Sequence, residues 1–302
     1  MTRSEARHSG YVALVGRTNV GKSTFLNALM ESKIAIVSAK PQTTRRKVLG
    51  IKTTERGQAV FFDCPGIHKP HFRLNERMMK EVRDALHDAD LVLYFVDIGA
   101  PQADEFIFAL LAEAASPRGG TAGKPVFLVI NKIDTLSKGR ILEKIQEYKD
   151  AFPWREIIPI SALKGDNLDL IEDLIFRCLP AGEDFYPAEE TTLQGQAFYV
   201  GELIREKVLD RVEDELPFTT TLKVEEIKDR GEVVYVRAEI FVENPSQKKI
   251  VIGRQGGLIK RIGTDGRLAL EEYFAKKVFL DLHVKVVANW RNSPQVLHEI
   301  FD

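Results

Sequence analysis

Cysteine is scarce in this 302-residue chain: Cys64 and Cys178 are the only two, and they lie far apart. Neither a disulfide framework nor a zinc site is expected from that spacing. No run approaches the ~20 apolar residues needed to cross a bilayer. Residues 1–10 are polar and mixed in charge, with no apolar run of signal-peptide length behind them. A soluble cytoplasmic protein is expected, with any membrane contact peripheral. Excess charge is lacking too: 43 Lys and Arg face 44 Asp and Glu, a net of −1. Averaged over the chain, that balance argues against a strongly cationic nucleic-acid binder. What is present is a globular composition, 44% hydrophobic and 29% charged, sized for about two domains of roughly 100–200 residues each.

The first half alternates short apolar runs with helical patterns. Strands are predicted at residues 11–15, 59–62, 91–96, 126–130 and 157–160, and helices at 24–31, 74–86 and 140–149. Continuous apolar strands separated by helices indicate an α/β domain whose mostly parallel sheet is covered on both faces. Ile51 and residues 58–62 are expected to form an antiparallel hairpin at one edge. Two prolines and a glycine in residues 179–187 interrupt the rhythm as a linker would, giving expected domains of 1–182 and 183–302. The second domain is expected to be α+β in the order αββααβ. Its elements are a helix over 198–212, strands at 219–227 and 233–242, helices from Gly257 and over 267–275, and a strand over 278–287.

Residues 16–23 (Gly16, Arg17, Thr18, Asn19, Val20, Gly21, Lys22, Ser23) fit G-x-x-x-x-G-K-[ST] between an apolar strand and a helix. Glycines let backbone N–H groups close on phosphate oxygens, and the helix adds the positive end of its dipole. Lys22 is expected on the β- and γ-phosphates and Ser23 on Mg²⁺. After the next strong strand come Asp63, Cys64, Pro65 and Gly66, a D-x-x-G in which Asp63 would hold Mg²⁺ through water and the Gly66 N–H would meet the γ-phosphate. Alone this motif is weak. The deciding motif is Asn131, Lys132, Ile133 and Asp134 after the strand at 126–130. A carboxylate there accepts from guanine N1–H and the exocyclic amine, donors that adenine does not offer, and such paired bonds discriminate strongly. Ser161, Ala162 and Leu163 would bring the Ala162 N–H to guanine O6. Four motifs in this order at the ends of parallel strands indicate GTP and GDP as ligands, with Mg²⁺.

Ile67 follows D-x-x-G where Ras-like enzymes carry a water-orienting Gln. Isoleucine has no donor or acceptor, so intrinsic hydrolysis is expected to be slow. Lys22, Thr44, Gly66 and Asn19 are the residues expected to carry it. The Asn19 amide oxygen is a candidate ligand for a monovalent cation beside the phosphates; related GTPases with G-x-x-N-x-G-K-S use potassium there.

In the second domain, Ile252, Gly253, Arg254, Gln255, Gly256 and Gly257 contain G-x-x-G in an aliphatic frame. Such a loop between two helices clamps single-stranded nucleic acid in KH domains. The charge that cancels over the chain is segregated here. Residues 183–243 hold 16 acidic and 7 basic residues, a net of −9, whereas residues 246–291 hold 10 basic and four acidic, a net of +6. The basic segment carries G-x-x-G, as phosphate contact requires. Lys248, Lys249, Lys260 and Arg261 are the further candidate RNA contacts. Trp290 has two readings, a base-stacking ring or a cap over the sheet, the second favoured.

The motif order is similar to that of the translation-factor-related GTPases, which implies a Mg²⁺-ligating threonine in residues 41–45. Thr43 and Thr44 both qualify, and relatives with a paired Thr-Thr favour Thr44. From Gly10 to Trp290 the chain resembles the Era family of bacterial GTPases, which carry a C-terminal type II KH domain. The resemblance rests also on residues 63–70, 245–253 and 284–291. It implies a monomer binding single-stranded sequence near the 3′ end of small-subunit ribosomal RNA. It further implies a role in small-subunit assembly, cycling between GTP and GDP states, and in some members peripheral association with the inner membrane. Arg254-Gln255 departs from the Lys-Gly common in that family. The competing class is a GTP-dependent, membrane-associated signalling switch whose KH-like domain binds protein.

Overall fold

The apolar runs of the first half are rich in Val, Ile, Leu and Phe and lack polar alternation, so each buries both faces when it pairs. In the computed structural model, which describes residues 7–100, 105–117 and 123–301, they build one sheet. Residues 1–6 of the polar N-terminal stretch and Asp302 lie outside the described residues. The strands are β1 (His8–Gly16), β2 (Val48–Thr54), β3 (Gly57–Asp63), β4 (Leu91–Asp97), β5 (Val126–Asn131) and β6 (Glu156–Pro159), in the order β2-β3-β1-β4-β5-β6. All pairings are parallel except β2–β3, an antiparallel edge hairpin running from Val48 opposite Asp63 to Thr54 opposite Gly57. Helices α1 (Lys22–Met30), α2 (Arg73–Asp88), α3 (Glu105–Ala115), α4 (Lys138–Lys149) and α5 (Leu168–Cys178) complete this half. The core includes Ala13, Val15, Phe62, Val92, Tyr94 and Leu128, all at most 4% exposed. Helix α1 starts two residues before the expected Thr24, because Gly21, at φ 93°, turns the chain directly into it.

The chain divides into two compact units, and the main division falls between Leu193 and Gln194. Residues 183–193 stay with the first unit because they hydrogen-bond into it. The Gln58 amide oxygen accepts the N–H groups of Phe185 and Tyr186 at 2.9 and 3.0 Å, and Ile51 N–H donates to the Thr191 carbonyl at 2.9 Å. Two short stretches, Ile36–Thr43 and Pro70–Glu76, pack with the second unit.

The second unit comprises α6 (Gln196–Leu209), the four-residue α7 (Leu216–Thr219), β7 (Thr221–Asp229), β8 (Val233–Val242), α8 (Pro245–Ile252), α9 (Gly257–Phe274), β9 (Lys277–Val286) and α10 (Pro294–Phe301). Strand β8 pairs antiparallel with β7 and parallel with β9. The αββααβ order holds, but the two central helices are not those expected from Gly257 and over 267–275. Those two are one continuous helix, α9, and the other helix is α8, which precedes the G-x-x-G. Asn244 caps α8 by accepting from Gln247 N–H at 2.9 Å, and Pro245 sits at its first turn, where a missing N–H costs nothing. Gly263 and Gly266 did not break α9 because Gly266 is where α9 crosses β9. A Cβ there would lie 3.1 Å from the Leu280 side chain.

Candidate functional sites

The first site lies at the carboxyl ends of β1, β3, β5 and β6, where a sheet of this topology leaves its crevice. The loop after β1 takes left-handed backbone at Asn19 and Gly21 (φ 61° and 93°) and delivers Lys22 to the start of α1. Lys22 is 6% exposed and donates to the carbonyls of Gly16 and Arg17 at 3.3 and 3.0 Å. Burial lowers its pKa, and the neighbouring Asp63 charge opposes that shift. A buried ammonium held only by carbonyls is poised for an anion of opposite charge.

Asp63, at the end of β3, is fully buried and accepts from Ser23 Oγ at 2.5 Å. Thr44 Oγ1 lies 3.0 Å from the same Ser23 oxygen. Burial pushes the Asp63 carboxyl up to about 6, against the pull of Lys22 and of the two hydroxyls. Its second oxygen, Oδ1, is buried with no hydrogen-bond partner. A buried carboxylate with one unpaired oxygen between two hydroxyls is a donor set that fits a hydrated divalent cation with oxygen ligands. Of the two threonines, Thr44 turns towards this cluster, whereas Thr43 Oγ1 donates to the Lys40 carbonyl at 2.7 Å. Gly66 presses on the phosphate loop: a Cβ there would meet Thr18 Cγ2 at 2.4 Å and Thr18 N at 2.7 Å, and Ile67 N–H donates to the Gly16 carbonyl at 2.9 Å. The Ile67 side chain is buried in the core.

Asn131 joins three of the loops. Its amide donates to the Val20 carbonyl at 2.8 Å, and its oxygen accepts from Lys132 N–H and Ala162 N–H at 2.8 and 3.0 Å. Lys132 reaches Asp97 at 2.7 Å, and Ser161 Oγ donates to Asp134 at 2.6 Å. Between them is a cavity of about 170 Å³ lined by Gly21, Thr24, Asn131, Lys132, Asp134, Thr135, Ala162 and Leu163. It is apolar-walled with a carboxylate at one edge, suited to a flat base carrying donors.

The second site is the turn between α8 and α9. Gly253 has φ 76°, and a Cβ there would lie 2.7 Å from Leu258 Cβ; Gln255 (φ 51°) and Gly256 (φ 75°) are left-handed. Lys248, Lys249, Arg254, Lys260 and Arg261 surround the turn, and none of them makes an ion pair among the described residues. Four other cations of the same basic segment are neutralised, Arg267 by Glu271, Lys276 by Asp229, Lys285 by Glu239 and Arg291 by Glu243. Beside the turn, α9 and β9 enclose a groove of about 450 Å³ lined by residues that include Ile259, Lys260, Gly263, Arg267 and Phe279. Phe279 is 60% exposed and stacks on Tyr235. The sequence reading missed Phe279. Its signal was the alternation along β9, where it is an aromatic on the outward parity. Trp290 is fully buried, with Nε1 donating to the Thr219 carbonyl at 2.8 Å, which excludes base stacking and leaves the cap.

The geometry defines a P-loop GTPase domain followed by a KH domain. A profile of the 50S ribosome-binding GTPase family matches residues 11–132, and a KH-domain profile matches residues 217–291. The chain is 42% identical over 296 residues to GTPase Era of Leuconostoc citreum and to that of Geobacter metallireducens, covering 97% of this chain and 95% and 97% of theirs. Two solved structures superpose over 97% of this chain and 98% of theirs at 36% identity. One is Era with MgGDPNP and nucleotides 1506–1542 of 16S ribosomal RNA (TM-score 0.91), the other an Aquifex aeolicus Era variant bound to GDP·AlF4⁻ (TM-score 0.90). The chain belongs to the Era family of GTPases.

Proposed function

We propose that this chain is a GTP-hydrolysing switch that binds single-stranded RNA near the 3′ end of small-subunit ribosomal RNA and assists assembly of that subunit. The observation that carries the RNA half is the ring of unneutralised cations around the α8–α9 turn, next to a groove with an exposed aromatic. Cations left unpaired at a glycine turn are free to meet phosphates, and Phe279 offers a stacking face for a base. Its relative with 97% coverage binds 16S RNA, which supports the same class of ligand here.

On the nucleotide side, Lys22 exchanges its carbonyl partners for the β- and γ-phosphates, and the N–H groups of residues 16–23 surround them. Asp134 accepts from the guanine edge, while the Ala162 N–H is available to O6 once it leaves Asn131. Ser23, Thr44 and Asp63 would hold Mg²⁺, which neutralises charge on the phosphate oxygens when bound. Ile67 points into the core and orients no water, so the chain's own turnover is slow. Asn19 is proposed to lend its amide oxygen to a potassium ion beside the phosphates. Equal hydrolysis rates in sodium and potassium buffers would remove that role. Peripheral association with the inner membrane is part of the same proposal; no helix among the described residues is long and apolar enough to cross a bilayer.

The test is fluorescence anisotropy with an oligonucleotide of the 16S 3′ end, comparing wild type with the Arg254→Glu/Gln255→Glu double variant. The variant is expected to bind at least about tenfold more weakly, through lost phosphate contact and added repulsion. If both bind equally, or neither binds, the reading fails.

A further inference from the structure

At the end of β4, Asp97 divides its carboxylate between two tasks. Oδ1 accepts the Gly99 N–H at 2.9 Å and closes the turn that leaves the strand, while Oδ2 accepts from Lys132 Nζ at 2.7 Å. Strand pairing brings the two residues together. Asp97 is the register partner of Asn131, Ile98 N–H donates to the Asn131 carbonyl at 3.0 Å, and Lys132 is the next residue of the chain. All of these groups belong to the first unit.

The backbone of Lys132 is held firmly. It is left-handed, at φ 68°, its N–H donates to Asn131 Oδ1 at 2.8 Å, and its carbonyl accepts from Thr135 Oγ1 at 2.7 Å. A residue with a side chain keeps that conformation only where its surroundings impose it. The side chain is another matter, since lysine is a point charge on a flexible four-carbon stem and follows the available anion. Two carboxylates adjoin it: Asp97 across the strand pair, and Asp134, two residues further on. Lys132 and Asp134 both line the base cavity, and Asp97 does not. An ammonium drawn to Asp97 therefore leaves only the apolar stem at the cavity wall. Drawn to Asp134, it would cover the carboxylate that has to meet the base. Ser161 Oγ already donates to Asp134 Oδ1 at 2.6 Å, so an added ammonium would compete with the base for what remains. The Asp97–Lys132 pair is 28% and 37% exposed, and a pair so exposed adds little to folding stability. Its consequence lies in where it leaves the lysine.

We propose that Asp97 is a positioning residue for guanine recognition: it holds the Lys132 ammonium outside the base cavity, which keeps the stem along the base and the Asp134 carboxylate open to guanine N1–H and the exocyclic amine. This rests on the reading of Asp134 as the guanine acceptor.

The test uses the full chain with Asp97→Asn, Lys132→Met and the double variant. Asparagine keeps an oxygen for the Gly99 N–H and removes only the charge, so the melting temperature should hold. Asp97→Ser, whose hydroxyl can also cap that turn, should behave the same way and guards against a fold effect of the amide. Release of methylanthraniloyl-GDP from Asp97→Asn is expected to quicken about fivefold, the upper end of what one exposed ion pair carries. KM for GTP should rise by a similar factor while kcat stays within about twofold, because uniform binding is lost and the γ-phosphate side is untouched. Release of the IDP analogue, which lacks the exocyclic amine and so draws less on Asp134, should quicken by less than about twofold. In the Lys132→Met background the same Asp97→Asn change should alter GDP release by less than about twofold, since no ammonium is left to hold. Three results would overturn the inference: Asp97 variants that melt as wild type and release GDP at its rate, equal acceleration for GDP and IDP, or the full effect persisting where residue 132 is Met. A wild-type chain that binds GDP no better than ADP would sink the preceding reading as well; one that prefers GDP while its Asp97 variants are indifferent would sink only this.

Discussion

Replacing Asp63 by Asn is expected to stabilise the metal-free, nucleotide-free chain at neutral pH while removing its Mg²⁺-dependent activity. Asp63 is fully buried, with one oxygen unpartnered, and its carboxyl is raised from 3.8 to about 6 chiefly by burial. The sign follows from linkage: with the folded value above the unfolded one, the folded state binds the proton more tightly. The associated stability is therefore full below about pH 4, falls as pH rises through the window from 3.8 to about 6, and is gone above it. A shift of that size corresponds to about 3 kcal/mol between pH 4 and pH 7.5. An amide carries no charge at either pH and retains an oxygen to accept from Ser23. Relative to wild type in EDTA, Asp63→Asn should thus gain up to about 3 kcal/mol at pH 7.5 and close to nothing at pH 4. The assay is urea denaturation at pH 4, 6 and 7.5, followed by fluorescence of Trp154, the tryptophan of the first unit, in a Trp290→Phe background. With Mg²⁺ and GDP present the order should reverse, because wild type gains from ligand binding that the variant lacks. A variant less stable than wild type at pH 7.5 in EDTA, or a stability difference that does not change with pH, would refute the reasoning.

Three further outcomes are expected. Gly66→Ala forces a Cβ onto Thr18 backbone atoms at 2.7 and 2.9 Å, so GTP hydrolysis should fall more than tenfold with a stability loss of about 1–3 kcal/mol, measured by phosphate release and thermal melting. Phe279→Ala removes an exposed ring without opening the core, so RNA affinity should drop by about 1–3 kcal/mol in anisotropy while GDP affinity is unchanged. Trp290→Ala empties a fully buried site and orphans the Thr219 carbonyl, which should cost the second unit about 3–5 kcal/mol, read by denaturation monitored through far-UV circular dichroism.

What was legible in the sequence was what local chemistry dictates. The run from Gly16 to Ser23 announces its loop because only a few residue types tolerate the left-handed turns that aim N–H groups inward. The apolar strands announce the sheet because burial on both faces leaves no polar alternation. Helix α8 was harder. Its aliphatic residues 250–252 frame the glycine turn and read as part of the motif, and its cap at Asn244-Pro245 followed a strand without pause. The helices expected from Gly257 and over 267–275 are one, and Gly266 inside it is small enough to admit Leu280. Least legible were Arg205 and Glu206, which the helical pattern over 198–212 does not single out. Their burial depends on chain from residues 36–43, more than 160 positions away, and no periodicity carries that information.

The parallel pairing of β8 with β9 has a consequence for synthesis as well as for shape. Parallel neighbours need a crossover, and here the crossover is α8, the glycine turn and α9 themselves. The turn proposed to hold RNA is therefore not a loop added to a finished sheet; it is the connection that closes only when β9 docks. A nascent chain that has released β7 and β8 from the exit tunnel holds an antiparallel hairpin whose second strand still has one unpaired edge. It acquires the proposed RNA-binding turn only after Val286 emerges, when the nucleotide domain has already had time to fold. Truncation between Leu193 and Val286 is expected to yield a chain able to bind nucleotide and unable to hold RNA, so the order of translation delays engagement of RNA until β9 has docked.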